Sequence, residues 1–389
     1  MELRKELEVR FGGYYMDKKR LVNFGIVAVL AIIIVLLVVF SGTTETYKIG
    51  YVGAMTGPMA KYGSYEAVSL AVEEINDNGG IGGKKIELIA EDGKCNAQDA
   101  VAGVNKLIFS DNVKVILGGH CSPESLAIAP VSEENKVIQL ASITTSPKYS
   151  ALGEYIFRTS PSSAVQGGVI SDAIKKLGYT KVAILFEKTD YAEPIAENLK
   201  SNVEKFGQVV YYDKYITGAG DFKTEISKIV ESGAEVVFIS PQVPDATLLI
   251  VKQLLEQGSK AKIFGNDVTG NLSVIEKDPT IFEGMIFTTP SFDANSELYL
   301  MFASKYKEKY GVDVPYGFWT AESYDAVFVI ANAINEKGYD SEGIKAYLEN
   351  LKDFKGSSGL ISINELHDGI RTYSLRMVKE GKLLDYDNQ

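Results

Sequence analysis

The runs Val182-Ala-Ile-Leu-Phe186 and Val236-Val-Phe-Ile239 contain no polar position, and each is bounded by polar residues. A strand that alternates can leave one face in water. A strand without a polar position must be covered on both faces, as in parallel sheets sandwiched between helices. The same reading predicts strands at 47–54, 85–91, 113–117, 136–141, 181–186, 208–215, 235–239, 261–265 and 284–288, with helical stretches between them. Val68, Ala71, Val72 and Ile75, for example, fall on one stripe of a helix. About ten strands with crossovers exceed one comfortable open sheet, so two lobes of Rossmann-like α/β architecture are expected. A chain of 389 residues, 46% apolar and with 36 glycines, has the material for two cores.

Strands that end in small-residue loops place free backbone amides and helix N-termini at the carboxyl edge of a sheet, where ligands bind in open α/β folds. Ile116-Leu-Gly-Gly-His-Cys-Ser-Pro-Glu-Ser125 is such a place. Ser122, Pro123 and Glu124 read as N-cap, N1 and N2 of a helix, and the hydroxyl with the exposed amides suits a carboxylate. The same residues are also an ordinary helix cap. Gly79-Gly-Ile-Gly-Gly83 precedes a strand instead of following one, so it is a turn and not a phosphate loop.

Several chemistries are not written in the chain. It has no metal-ligand spacing of His and Cys, no Gly-x-Ser-x-Gly, no Walker A motif and no dinucleotide fingerprint. A Cys121–His120 nucleophile is disfavoured, since adjacent strand residues point to opposite faces and no third orienting group is evident. No enzyme, cofactor or metal is therefore expected. The net charge of −11, with no basic run in the globular part, argues against nucleic acid.

Leu21 to Phe40 is a 20-residue apolar run interrupted only by Asn23, and as a helix it would span about 30 Å, the thickness of the hydrocarbon core. Lys18, Lys19 and Arg20 precede it, which leaves 1–20 cytoplasmic and the body outside. A cleavable signal has a shorter apolar core, roughly 7–15 residues. Residues 21–40 therefore read as an uncleaved single-pass anchor, although Val39-Phe-Ser41 also fits a signal-sequence cleavage site. Met16-Asp-Lys-Lys-Arg20 resembles a natural start.

Ile49-Gly-Tyr-Val-Gly-Ala-Met-Thr-Gly-Pro58, Ala60-Lys-Tyr-Gly63 and Ala71-Val-Glu-Glu-Ile-Asn-Asp-Asn-Gly-Gly80 closely resemble the opening of the extracytoplasmic branched-chain amino-acid binding proteins, which adopt the type I periplasmic binding fold. The resemblance runs through 47–380 and implies two lobes joined by a three-strand hinge. Lobe 1 would be 47–161 plus 290–359, and lobe 2 would be 162–289 plus 360–389. It implies a monomer that captures an amino acid, branched-chain or related, and delivers it to an ABC permease and ATPase on separate chains. A membrane-tethered sensory ectodomain for an amino-acid-like or amide ligand is the alternative the fold also serves.

The resemblance assigns residues too. Cys95 and Cys121 match the two ends of a family disulfide, in keeping with an even pair in an exported protein. Ser122 and Thr145 fall on positions that hold the ligand carboxylate. Ile143, where a small residue is usual, falls on the position whose carbonyl accepts from the ammonium. Asp267, where Glu is more usual, would face the ammonium. Tyr62, Tyr191 and Trp319 would cover the ligand, although each taken alone is more often a packing residue. Gln242 stands where a Tyr is expected, which makes the side-chain pocket more polar than one built for leucine.

Overall fold

The computed structural model describes residues 45–386 and, before them, Val22, Asn23, Ile26, Val27 and Val29, which are helical. Among the described residues no helix is long and apolar enough to cross a membrane, and nearly all of the anchor expected at 21–40 lies outside them.

Two sheets carry the fold. The first holds β1 (Tyr47–Gly53), β2 (Ile86–Asp92), β3 (Val115–Gly118), β4 (Ile138–Ala141) and β5 (Ile156–Arg158) in the order β2-β1-β3-β4-β5, all parallel. The second holds β6 (Lys181–Glu187), β7 (Gln208–Tyr215), β8 (Val236–Ser240), β9 (Lys262–Gly265) and β10 (Ile286–Pro290), in the parallel order β7-β6-β8-β9-β10. The two orders are the same doubly wound pattern, one per lobe. The chain then adds a small pair, β11 (Phe354–Gly356) with β12 (Gly359–Ile361), and a hairpin, β13 (Tyr373–Lys379) with β14 (Lys382–Asp385). That hairpin lies antiparallel against β10, so the second sheet is mixed at this edge and not parallel throughout.

The apolar runs do what their composition demands. Val182, Ile184 and Phe186 of β6 pack in one core and Ala183 and Leu185 in another, on the opposite face of the sheet. Val236 and Phe238 of β8 divide from Val237 and Ile239 in the same way. Each such side chain, fully buried, stabilises the fold by roughly 1.5–3 kcal/mol. Helices Ile170-bearing α4 (Gln166–Lys176) and α5 (Ala192–Val203) cover one face, and α6 (Lys223–Glu231) and α7 (Pro244–Glu256) cover the other. The first sheet is covered in part from far along the chain: α9 (Phe318–Lys337) buries Val327, Ile330 and Ile334 with α1 (Ser64–Asp77) against Ile49 and Leu117. Further long helices are α2 (Ala97–Phe109), α3 (Ser122–Glu134), α8 (Glu297–Tyr310) and α10 (Ser341–Glu349).

Candidate functional site

Met59, Tyr62, His120, Cys121, Ser122, Ile143, Tyr191, Gln242, Asp267, Val268 and Trp319 line one cavity between the two sheets. The walls stand close together, and the room left between them for water-sized molecules is about 30 Å³. The strand ends place most of these residues. Ser122 and Ile143 follow β3 and β4 in one lobe, and Tyr191, Gln242 and Asp267 follow β6, β8 and β9 in the other.

Asp267 is the only acid in this lining, and it is buried at 7% exposure. Tyr191 Oη donates to its Oδ1 at 2.6 Å and Gln166 Nε2 to the same oxygen at 2.7 Å. Burial nevertheless holds its pKa above the ordinary value, because neutral donors only partly replace water. A carboxylate in that condition is stabilised by a cation brought to it.

The opposite wall differs from expectation in one detail. The N-cap of α3 is Cys121, not Ser122, and Glu124 occupies N3. The Glu124 carboxylate reaches back to accept from the amides of Cys121 and Cys95, both at 2.8 Å, the reciprocal half of a capping box. Ser122 is thereby released from capping. Its Oγ accepts from the Ser146 amide at 3.3 Å, which leaves the hydroxyl proton for another acceptor at the positive end of the helix. Glu124 is deeply buried, and desolvation pushes its pKa up to about 7.

Seven of the eight residues expected to hold ligand, Tyr62, Ser122, Ile143, Tyr191, Gln242, Asp267 and Trp319, border this cavity. Thr145 does not; it is 1% exposed with its Oγ1 unpartnered. Cys95 and Cys121 are joined as a disulfide. Gln242 Nε2 donates to Cys95 Sγ at 3.0 Å, across the two lobes.

Sequence reasoning missed several participants. Gln166, from α4, positions Asp267 and is itself held by Thr288 Oγ1 at 2.7 Å. Tyr316 stacks flat on Tyr62, with centroids 3.8 Å apart and planes 4° from parallel, and its hydroxyl donates to the Val268 carbonyl at 3.3 Å. No local pattern marks either one, since only the fold brings them near. His120 was legible as the neighbour of Ser122, and its ring meets Tyr62 edge-on at 5.1 Å.

A cavity at the carboxyl ends of two matched α/β sheets, acidic on one wall and offering a hydroxyl and a helix terminus on the other, defines a two-lobed binding protein for small molecules. The chain belongs to the periplasmic binding protein family, whose model matches residues 46–382. It is 30% identical over 338 residues, 85% of this chain and 88% of the other, to a leucine-, isoleucine-, valine-, threonine- and alanine-binding protein of Pseudomonas aeruginosa. A leucine-binding protein of Thermotoga maritima superposes with a TM-score of 0.79 at 26% identity, covering 88% of this chain and 98% of that one. A branched-chain amino acid transporter substrate-binding protein of Streptococcus pneumoniae, solved with isoleucine, gives 0.80 at 25% identity over 87% and 98%.

Proposed function

We propose that the protein captures an α-amino acid, branched-chain or related, between its two lobes and delivers it to an ABC importer whose permease and ATPase are separate chains. The observation that carries this reading is Asp267: a buried acid with neutral partners, facing the lobe that presents Ser122 and the N-terminus of α3. An ammonium supplies the cation that Asp267 lacks, and the carboxylate of the same zwitterion meets the hydroxyl and the helix terminus. The names of the relatives support the same ligand class. Ligand contacts made to both lobes at once stabilise the closed arrangement over an open one, and this differential is the mechanism. In this reading the chain acts as a monomer, catalyses no reaction, and is held at the extracytoplasmic face of the membrane by the apolar run 21–40.

A thermal-shift screen of the full-length protein in mild detergent against amino acids tests it. A ligand at 100 times its Kd should stabilise the fold by about 2.7 kcal/mol. A flat response to all of them, with a response to sugars or aromatic acids, would replace the ligand class.

A further inference from the structure

Three atoms in the cavity wall are buried and have no hydrogen-bond partner: both ring nitrogens of His120 and Oε1 of Gln242. His120 is 4% exposed and Gln242 is 5% exposed. The large majority of buried side-chain polar groups in folded proteins are paired. The two residues share the cavity and flank one disulfide: His120 precedes Cys121, and Gln242 is bonded to Cys95 Sγ. They are polar groups of the lining additional to the Asp267 carboxylate and the Ser122 hydroxyl, which address the two charged ends of a zwitterion. Apart from the Cys121 disulfide, the rest of the lining, Met59, Tyr62, Ile143, Tyr191, Val268 and Trp319, is apolar or aromatic.

Resting on the amino-acid reading above, we propose that His120 and Gln242 form a side-chain subsite selecting α-amino acids whose side chain is uncharged and hydrogen-bonding, a carboxamide or hydroxyl. Desolvation holds the imidazole pKa at about 3, so the ring is neutral at physiological pH and offers one donor and one acceptor. Gln242 Oε1 adds a second acceptor. An amide or hydroxyl satisfies both kinds of group together. A purely aliphatic side chain leaves all three atoms unpaired, and a cationic or anionic one finds no counter-charge beyond Asp267. His120 also borders a smaller, mostly apolar space with Tyr51 and Ser64, whose hydroxyls are likewise unpartnered. A ring serving only that space would be structural, and the test separates the two roles.

The test is calorimetry on the full-length protein with two near-isosteric pairs, asparagine against leucine and threonine against valine. Asparagine and threonine are expected to bind roughly 10- to 100-fold tighter than their partners, the range set by stranding buried polar groups. His120→Leu and, independently, Gln242→Met should each reduce that preference by about tenfold while Asp267 keeps its grip on the ammonium. If His120→Leu does not fold, the wild-type comparison and Gln242→Met still decide the matter. Leucine and valine binding as tightly as the polar pair overturns the subsite and leaves the amino-acid reading standing. So does a folded His120→Leu that loses thermal stability but keeps the wild-type preference. Binding of none of the four overturns the amino-acid reading, and the subsite with it.

Discussion

Tyr191 and Gln166 hold Asp267 with neutral hydrogen bonds, and burial outweighs them to keep its carboxyl above its ordinary value of 3.8. Asp267→Asn keeps the size and removes the charge. Leaving an ammonium without its partner typically costs 2–5 kcal/mol, so calorimetry should show an affinity loss of about 30- to several-thousand-fold. Wild-type affinity should also weaken as pH falls through the raised carboxyl pKa, since a protonated Asp267 no longer matches the ammonium; Asp267→Asn should show no such trend. The sign for stability runs the other way. A carboxyl whose pKa rises on folding favours the folded state below its unfolded value and loses that contribution as pH rises through the folded one. At neutral pH the substitution should leave the melting temperature equal or higher. Ser122→Ala removes one hydroxyl from a helix terminus that remains, and should lose only roughly 0.5–1.5 kcal/mol of binding. Ser122 could be singled out from its own residues, because it follows a strand and opens a helix, whereas Asp267 was assigned through the family resemblance. The cap itself was misplaced by one residue, because Cys-x-x-Glu mimics the Ser-x-x-Glu capping pattern and takes the role from the serine.

Among the elements, the loop after β4, which carries Ile143 and Thr145, is tied to the segment between β12 and β13 by one buried charged side chain. Arg158, at the end of β5, is fully buried; its Nε donates to Asp368 Oδ1 at 2.7 Å and its Nη1 to the Ser146 carbonyl at 2.8 Å. Nη2 reaches Ser150 Oγ at 2.8 Å, and that hydroxyl closes the ring by donating to Asp368 Oδ2 at 2.6 Å. Arg158→Met strands the Asp368 carboxylate in a dry site. A loss of about 3–5 kcal/mol is expected in chemical denaturation, more than any change confined to the cavity rim. The legible strands carry apolar runs or alternation long enough to read, and each lies within two residues of its expected place. β5 was not, because three residues, Ile156-Phe-Arg158, are too few to show a period. The β13–β14 hairpin also escaped, although Glu380-Gly381, both at positive φ between two runs of strand type, carried a turn signal of the usual kind.

For the molecule as a whole, two ion pairs bridge the lobes on the outside of the cavity: Lys61 Nζ to Asp245 Oδ2 at 2.8 Å, and Lys148 Nζ to Asp190 Oδ1 at 2.7 Å. All four side chains are at least 40% exposed, so each pair is worth about 0–1 kcal/mol. Asp245→Ala should weaken ligand binding no more than about fivefold at low salt, and the difference should vanish near 1 M salt, where the screening length is about 3 Å. A larger or salt-independent effect in titrations would mean that Asp245 acts through Lys277, its second partner at 2.8 Å, and not through closure. The arrangement of the site was readable only as a set of loops, because the sequence shows where strands end but not which ends face one another across two sheets. That placement has a further meaning for how such a protein can change over generations. Ser122, Ile143, Tyr191, Gln242 and Asp267 each sit just past the end of a strand whose side chains fill a core. Cargo preference is written on short segments held at both ends by a scaffold that takes no part in the choice. New preferences can therefore arise by rewriting a handful of positions while both cores descend unaltered.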